Sequence, residues 1–493
     1  MDGISRREFI GTAAAAGGII LAGGFAVRPL AAAEDAGWPA LKPVKIYVVY
    51  VGTGGAWPTP NFDAPAEVAK FKKYLAGVQN RLGDVEFVGG ELIPNTAPAA
   101  EEVAERAGNA DALLLIHLSF GSGEPLLKLV DTGLPTAIFS QPFSGHDWMY
   151  VPMWQKADKK VILLTSSDLA ELDRAVALLR VPVRMRQSRI IVIGSPRGTA
   201  AACSAEKVKQ HLGCELVPIT AEQIVEAHNA IDPKAAEAEA QHYWIGPAKK
   251  IVEPSTEDIQ NSARLYLALK QIMIERGAQA VTSSHCMGLP AKGCLAFSKL
   301  NDLGLVGACE GDMDSTLTML MFSYAFGVPG FISDPLFDTS KNAVIHAHCT
   351  STTKLDGPAG ERAPFLIRTQ CDTNQGVSLE VQMRIGQRIT CAKLANLDTM
   401  LISTGKIIEL TDYFDRGCRT QITTEVRNAR QMAHNWGSGL LGRDMMTLLH
   451  RVVFYGDHLD SAGDLCTLMG ISLVEEGALP LFHQEQKFTV GLL

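Results

Sequence analysis

Runs of apolar residues alternate with amphipathic and polar stretches, and the rhythm of that alternation changes twice along the chain. Through residues 44–142, short apolar runs at 46–51, 85–88, 112–116 and 136–139 predict strands, and the segments 64–82, 97–107 and 123–129 predict helices between them. Strands separated by helices in this way predict a parallel, doubly wound sheet. A second series starts near residue 161, with strands predicted at 161–164, 190–193, 215–218 and 280–282. Its helices are predicted at 169–179, 200–212 and 256–276, the last with Ile259, Ala263, Tyr266, Leu267 and Ile274 on one side. After about Lys341, β-type runs at 365–369, 377–383, 388–394 and 400–410 follow one another with few helices between them. The chain then closes with a strand at 452–455, a helix at 460–469 and a strand at 471–474. The expected fold class is α/β: two doubly wound parallel-sheet αβ domains (40–158 and 159–340) followed by a β-rich, barrel-like C-terminal domain (341–493).

The first 33 residues stand apart from that pattern. Ser5-Arg6-Arg7-Glu8-Phe9-Ile10 is a twin-arginine pattern, a mildly hydrophobic Ala/Gly-rich stretch follows, and Ala31-Ala32-Ala33 fits cleavage by a signal peptidase. The stretch is short and mild for a membrane span. The expectation is a bacterial protein exported to the periplasm or another extracytoplasmic site. Its partner in export would be the twin-arginine machinery, which carries folded, often cofactor-loaded chains, and no stable membrane anchor would remain.

Composition adds exclusions. A net charge of -8 offers no broad attraction to nucleic acid or anionic membrane. The ten cysteines include no CxxC pair, which argues against zinc-ribbon and thioredoxin chemistry. Cys203, Cys286, Cys309, Cys349, Cys391 and Cys466 lie in or beside apolar runs, as buried thiols do, so few or no disulfides are expected.

Candidate chemistry gathers between residues 304 and 351. An apolar run at 305–309 stops at Glu310, and the Gly311-Asp312 turn leads into a helix predicted over 313–326, ended by Gly327 and Pro329. A second apolar run, 330–333, stops at Asp334. If both runs are parallel strands of one sheet, the crossover sets both carboxylates on the edge where ligands usually sit. His348 follows in an alternation that puts His346 on the same face. A lone acid after a strand is more often a cap or a surface group, and Asp312 reads as a cap. Two acids and an imidazole converging on one edge instead suggest a divalent metal, with oxygen and nitrogen donors suited to Mg, Mn, Co or Fe. Cys309 and Cys349 alternate to the opposite faces of their strands and read as packing. The C-terminal region supplies His434, His450 and His458, among which spacing does not choose, and His285 and His346 also have no assigned role.

Glu310-Gly311-Asp312, a helix, and Asp334 after an interval of 24 residues resemble the L-fucose isomerase and L-arabinose isomerase superfamily. The tail from His450 through Arg451-Val452-Val453-Phe454-Tyr455 to Leu468-Met469-Gly470-Ile471 is similar to that superfamily's late ligand histidine with its strand and helix. The likeness is loose over the whole mature chain and residue by residue only over 304–351 and 434–475. It implies aldose–ketose isomerisation of an open-chain sugar with a divalent metal, usually manganese. Glu310, Asp334, His348 and His450 would be the ligands, and Glu310 and Asp334 would also move a proton between C1 and C2. It implies a homo-oligomer in which Trp57 or Trp148 of one subunit walls a neighbour's site. Leu449 stands where the fucose branch has asparagine, and Ser333-Asp334 where the arabinose branch has Glu-Asp. The superfamily's enzymes work in the cytoplasm, whereas this chain carries an export signal. Two alternatives follow: another carbohydrate-active metalloenzyme (lyase, epimerase or hydrolase) on the same site, or a periplasmic sugar-binding protein. The acid and histidine set speaks against the second, because a receptor needs no metal ligands.

Overall fold

The computed structural model describes residues 37–54, 57–414, 416–436 and 449–478, so the predicted signal at 1–33 lies outside the described residues. Strands β1 (Val44–Val51), β2 (Val85–Ile93), β3 (Ala112–His117), β4 (Thr136–Ser140) and β5 (Val161–Thr165) form a parallel sheet in the order β2-β1-β3-β4-β5. β3 is apolar but for its final His117 and buried throughout, as a strand covered on both faces must be. The helix Ala64–Leu82 between β1 and β2 starts where Asp63 accepts a hydrogen bond from the Ala66 amide and stops at left-handed Gly83. β5 was expected to open the second series but is the edge strand of this first sheet, with Val161 opposite Thr136.

Strands β6 (Arg189–Ile193), β7 (Glu215–Ile219), β8 (Lys250–Ile251), β9 (Ala280–Ser283) and β10 (Val306–Ala308) follow. All but β8 form a second parallel sheet in the order β10-β9-β6-β7. The helix Glu171–Gln187 continues past its expected end at residue 179. Its second half carries Arg180 and Arg184, which are buried against Asp84, with the Arg180 Nη1 donating to it at 2.7 Å. The helix Thr256–Arg276 has its predicted bounds, set by a Ser255/Asp258 capping box and by Gly277 at φ 64°.

The remaining strands are β11 (Phe331–Asp338), β12 (Ala343–Ala347), β13 (Phe365–Arg368), β14 (Ser378–Val381), β15 (Arg388–Ala395), β16 (Thr399–Leu410), β17 (Gln421–Val426), β18 (Arg451–Tyr455) and β19 (Ser472–Glu475). Six of them close an antiparallel barrel in the order β15-β18-β11-β12-β17-β16, with β16 returning to β15. β13 and β14 form a hairpin that takes up β8, and β19 joins β16 in parallel.

The barrel corrects the expected strand–helix–strand unit. β10 and β11 do not share a sheet: β10 is parallel to β9, whereas β11 is antiparallel to both β12 and β18. Asp334 therefore lies within β11, opposite Ala347, rather than past a strand end. A short apolar run has the same pattern in a parallel core strand and in a barrel strand, so periodicity could not separate them. The helix Met313–Phe326 joins the two systems and is buried at all fourteen positions, as a helix apolar on every side requires. Phe322 stacks on Phe454 of β18 with ring centroids 4.5 Å apart, and Thr318 Oγ1 accepts from the Leu394 amide of β15 at 2.7 Å.

Candidate metal centre

β10 ends at Ala308, and the chain turns through Glu310 at φ 61° and Gly311 at φ 74°. Two successive left-handed residues reverse the chain at once. For glutamate this backbone is strained, and such strain persists only where the surroundings enforce it. Gly311 has no room for a side chain, since a Cβ there would lie 3.1 Å from the Ser284 Cβ and 3.2 Å from the Ser195 carbonyl oxygen. The turn delivers Asp312 to the N-cap of Met313–Phe326, where Oδ1 accepts from the Ser315 amide at 3.0 Å and Oδ2 from its hydroxyl at 2.7 Å. Asp312 is thus a cap, as its sequence position implied.

All four predicted ligands meet beside this turn. Asp334 comes from β11, His348 lies just past β12, and His450 lies just before β18. Glu310 faces both rings, with Oε1 3.8 Å from His348 Nε2 and Oε2 3.8 Å from His450 Nε2. Asp334 Oδ1 is 3.3 Å from His450 Nε2. Donor atoms of Asp334, His348 and His450 all lie within 4.8 Å of one another. Two donors at right angles about one ion, each about 2.1 Å from it, are about 3 Å apart, so the 3.3 Å between Asp334 and His450 suits a shared ion, whereas Glu310 groups within 4.8 Å with His348 and Cys309 instead. The imidazoles form the floor, with side chains 4% (His348) and 0% (His450) exposed, and the carboxylates form the open rim at 35% (Glu310) and 29% (Asp334).

The second layer fixes the ring of His450. Its Nδ1 is 3.0 Å from Asp312 Oδ2, which also accepts from Lys393 Nζ at 2.8 Å. A carboxylate that accepts a hydrogen bond from Nδ1–H leaves Nε2 of the neutral ring bearing a lone pair, the arrangement found behind metal-bound histidines. That Nε2 and Asp334 Oδ1 are both buried and make no hydrogen bond. Buried polar atoms without partners cost about 1–3 kcal/mol each, so two orphans facing each other fit a bound cation.

Charges follow the same geometry. A contact with His348 holds the Glu310 carboxyl below the ordinary range, against the opposing effect of burial. Burial pushes Asp334 up, but His450 and His348 outweigh it and the carboxyl stays low. Burial also opposes the charge on His348, yet Glu310 and Asp334 raise it to about 9. Asp312 is desolvated too, and Lys393 with His450 still holds it well below a normal aspartate.

Among the described residues, the other candidate histidines do not join the site. His346 bonds Ser333 Oγ at 2.9 Å and Thr424 Oγ1 at 3.2 Å inside the barrel, and burial lowers it to about 3. His458 stacks on Phe326 at 4.2 Å and contacts the Tyr455 carbonyl oxygen. His434 is exposed on the helix Ala429–Asn435, and His285 neighbours Ser284 in its loop. Cys309 is closer than expected: its sulfur lies within 4.8 Å of Glu310 and His348 donor atoms. Sequence reasoning missed Lys393, whose only signal was a lysine between apolar residues in Cys391–Ala395, where β15 is buried from Ile389 onward. No protein-family model matches this chain, and no curated protein matches it in sequence.

Proposed function

We propose that this protein is a divalent-metal-dependent isomerase that interconverts an aldose and a ketose in open-chain form. The observation that carries the reading is the pair of buried atoms that make no hydrogen bond, Asp334 Oδ1 and His450 Nε2, 3.3 Å apart and with Glu310 and His348 beside them. These four residues would hold the ion, Mn first, with Co, Mg or Fe as alternatives. When bound, the ion would act as a Lewis acid on the carbonyl and adjacent hydroxyl oxygens of the sugar.

The protein's own groups supply the proton transfers. Glu310 and Asp334 stand on the open rim, where a substrate arrives, and their neighbours keep both deprotonated near neutrality. One of these carboxylates takes the proton from C2 of the aldose, and a carboxylic acid so formed returns it to C1. The hydroxyl proton moves from O2 to O1, so composition is conserved and no redox partner is needed. His348 and His450 position the carboxylates through the contacts described above. The domain reading belongs to the same proposal: two αβ units and a barrel, with the site where the second unit meets the barrel. So does a homo-oligomer in the periplasm, in which the exposed aromatic cluster around His146 walls a neighbour's site. Trp57, Phe120 and Trp148 lie 5.6, 6.4 and 6.4 Å from that ring.

The test is metal content of the purified exported protein, followed by a screen of pentoses and 6-deoxyhexoses for aldose-to-ketose conversion with added Mn. Near-stoichiometric metal that is lost in Glu310→Gln and in His450→Ala, together with turnover of one sugar, is the expected result. A metal-loaded protein that converts no free sugar refutes the isomerase and favours a lyase, epimerase or hydrolase on the same site. Sugar binding by a protein that takes up no metal favours the receptor reading.

A further inference from the structure

A second group of metal-competent side chains begins at the residue after His348. Cys349 follows it directly, Cys371 comes from the turn after β13, and Cys418 comes from the loop before β17. Their three sulfurs lie within 4.8 Å of one another, Cys371 to Cys418 at 2.9 Å and Cys349 to Cys371 at 3.8 Å. We infer that Cys349, Cys371 and Cys418 form a binding site for one thiophilic d10 cation of the Zn(II) type, separate from the carboxylate–imidazole centre. The inference uses no part of the isomerase reading.

Three features favour a ligand site over packing. Buried cysteines usually behave as small apolar groups inside a core. Cys371 and Cys418 are instead partly exposed, so an ion can reach them, while Cys349 is buried beneath. The loops that carry the outer two are also held in place. Gln370 Oε1 accepts from the Thr373 amide at 3.2 Å and its hydroxyl at 3.0 Å, bracing the Cys371 turn. Thr420 Oγ1 donates to the Leu379 carbonyl at 2.8 Å and accepts from the Val381 amide at 3.0 Å, tying the Cys418 loop to β14. Finally, an Asp372 oxygen lies 3.3 Å from the Cys371 sulfur, an additional hard donor at the open side.

The competing arrangement is a Cys371–Cys418 disulfide. Two sulfurs bound at about 2.3 Å to one tetrahedral ion are about 3.8 Å apart, which is the Cys349–Cys371 spacing. The Cys371–Cys418 spacing of 2.9 Å lies between that figure and a covalent bond of about 2.05 Å, so this pair alone does not decide. The third thiol does. A disulfide uses two sulfurs and a soft cation three or four, and Cys349, which also meets the Cys294 thiol, brings a third sulfur to 3.8 Å from Cys371. Binding to the thiol forms is balanced as one divalent cation taken up and three protons released, with no oxidant.

The experiment uses the full mature chain, reduced and stripped with a chelator, and titrates it with Cd(II) as a spectroscopic stand-in for Zn(II). The expected result is a thiolate-to-cadmium charge-transfer band that saturates at one ion per chain. It should be lost in Cys371→Ser and in Cys418→Ser, both at partly exposed positions, and kept in Glu310→Gln. Circular dichroism confirms that each variant is folded. No saturable band, or a band unchanged in both cysteine variants, overturns the inference. So does a Cys371–Cys418 disulfide found by mass spectrometry in protein isolated without added oxidant. A band lost in Glu310→Gln overturns it as well, because the cadmium would then occupy the carboxylate–imidazole centre.

Discussion

Asp312 caps one helix through Oδ1 and, through Oδ2, holds both His450 and the buried ammonium of Lys393. Asn at this position keeps the cap, because its amide oxygen still accepts from Ser315, but removes the carboxylate from the other two partners. Asp312→Asn is expected to weaken Mn binding by about 10–100-fold, the usual effect of losing a partner behind a ligand histidine. It should also lower unfolding stability by about 1–3 kcal/mol, because buried Lys393 loses one of its carboxylate neighbours. Calorimetric titration with Mn and urea unfolding measure the two effects. His348 gives a pH dependence in the metal-free protein. Its folded pKa, about 9, lies above the unfolded value of about 6.5. The stabilisation is therefore fully present below about pH 6.5 and is lost as pH rises through 9, a change on the order of 3 kcal/mol. Unfolding midpoints across that window should fall in the chelator-treated protein and fall less steeply in His348→Gln, where only His450 keeps a raised pKa of this kind. Metal competes with the proton on the same ring, so apparent affinity should rise over the same interval.

At the scale of elements, the turn at Glu310-Gly311 is the tightest constraint on the site. Gly311→Ala adds a Cβ at a left-handed position against the Ser284 side chain and the Ser195 carbonyl. The expected cost is about 1–3 kcal/mol, with metal content reduced because Glu310 is displaced. Thermal unfolding and elemental analysis of the variant check both. What the sequence made legible here had a local cause. Asp312 and Gly327 mark both ends of Met313–Phe326, and Ser255, Asp258 and Gly277 mark those of Thr256–Arg276. Glu310, Asp334, His348 and His450 also lie near one another, with Glu310 3.8 Å from both rings. The route to them was misread, because the sheet a short apolar strand joins depends on partners far away in sequence. β11 pairs with β18, whose Val453 lies opposite Phe331 across more than a hundred residues. Lys393 and the Cys371–Cys418 approach stayed hidden for the same reason, since each acquires meaning only from a residue on a distant strand or loop.

In the molecule as a whole, the centre ties the β10 sheet to the barrel: Glu310 comes from one, and Asp334, His348 and His450 from the other. The proposed oligomer adds a third contributor. Trp148→Ala is expected to leave metal content unchanged and to raise KM more than it lowers kcat, because the residue would touch the sugar and not the ion. Steady-state kinetics with light scattering reads this, and a variant with wild-type KM would remove the aromatic wall from the proposal.

The position of β18 has a consequence for biosynthesis. It lies between β15 and β11, so the ring stays open until residues 451–455, the last barrel strand in sequence, have left the ribosome. The strand that closes the barrel also brings in His450, so a nascent or truncated chain lacks the closing staves and the last ligand together. For a chain proposed to leave the cytoplasm already folded, acquiring the ion then doubles as a sign that synthesis has passed β18.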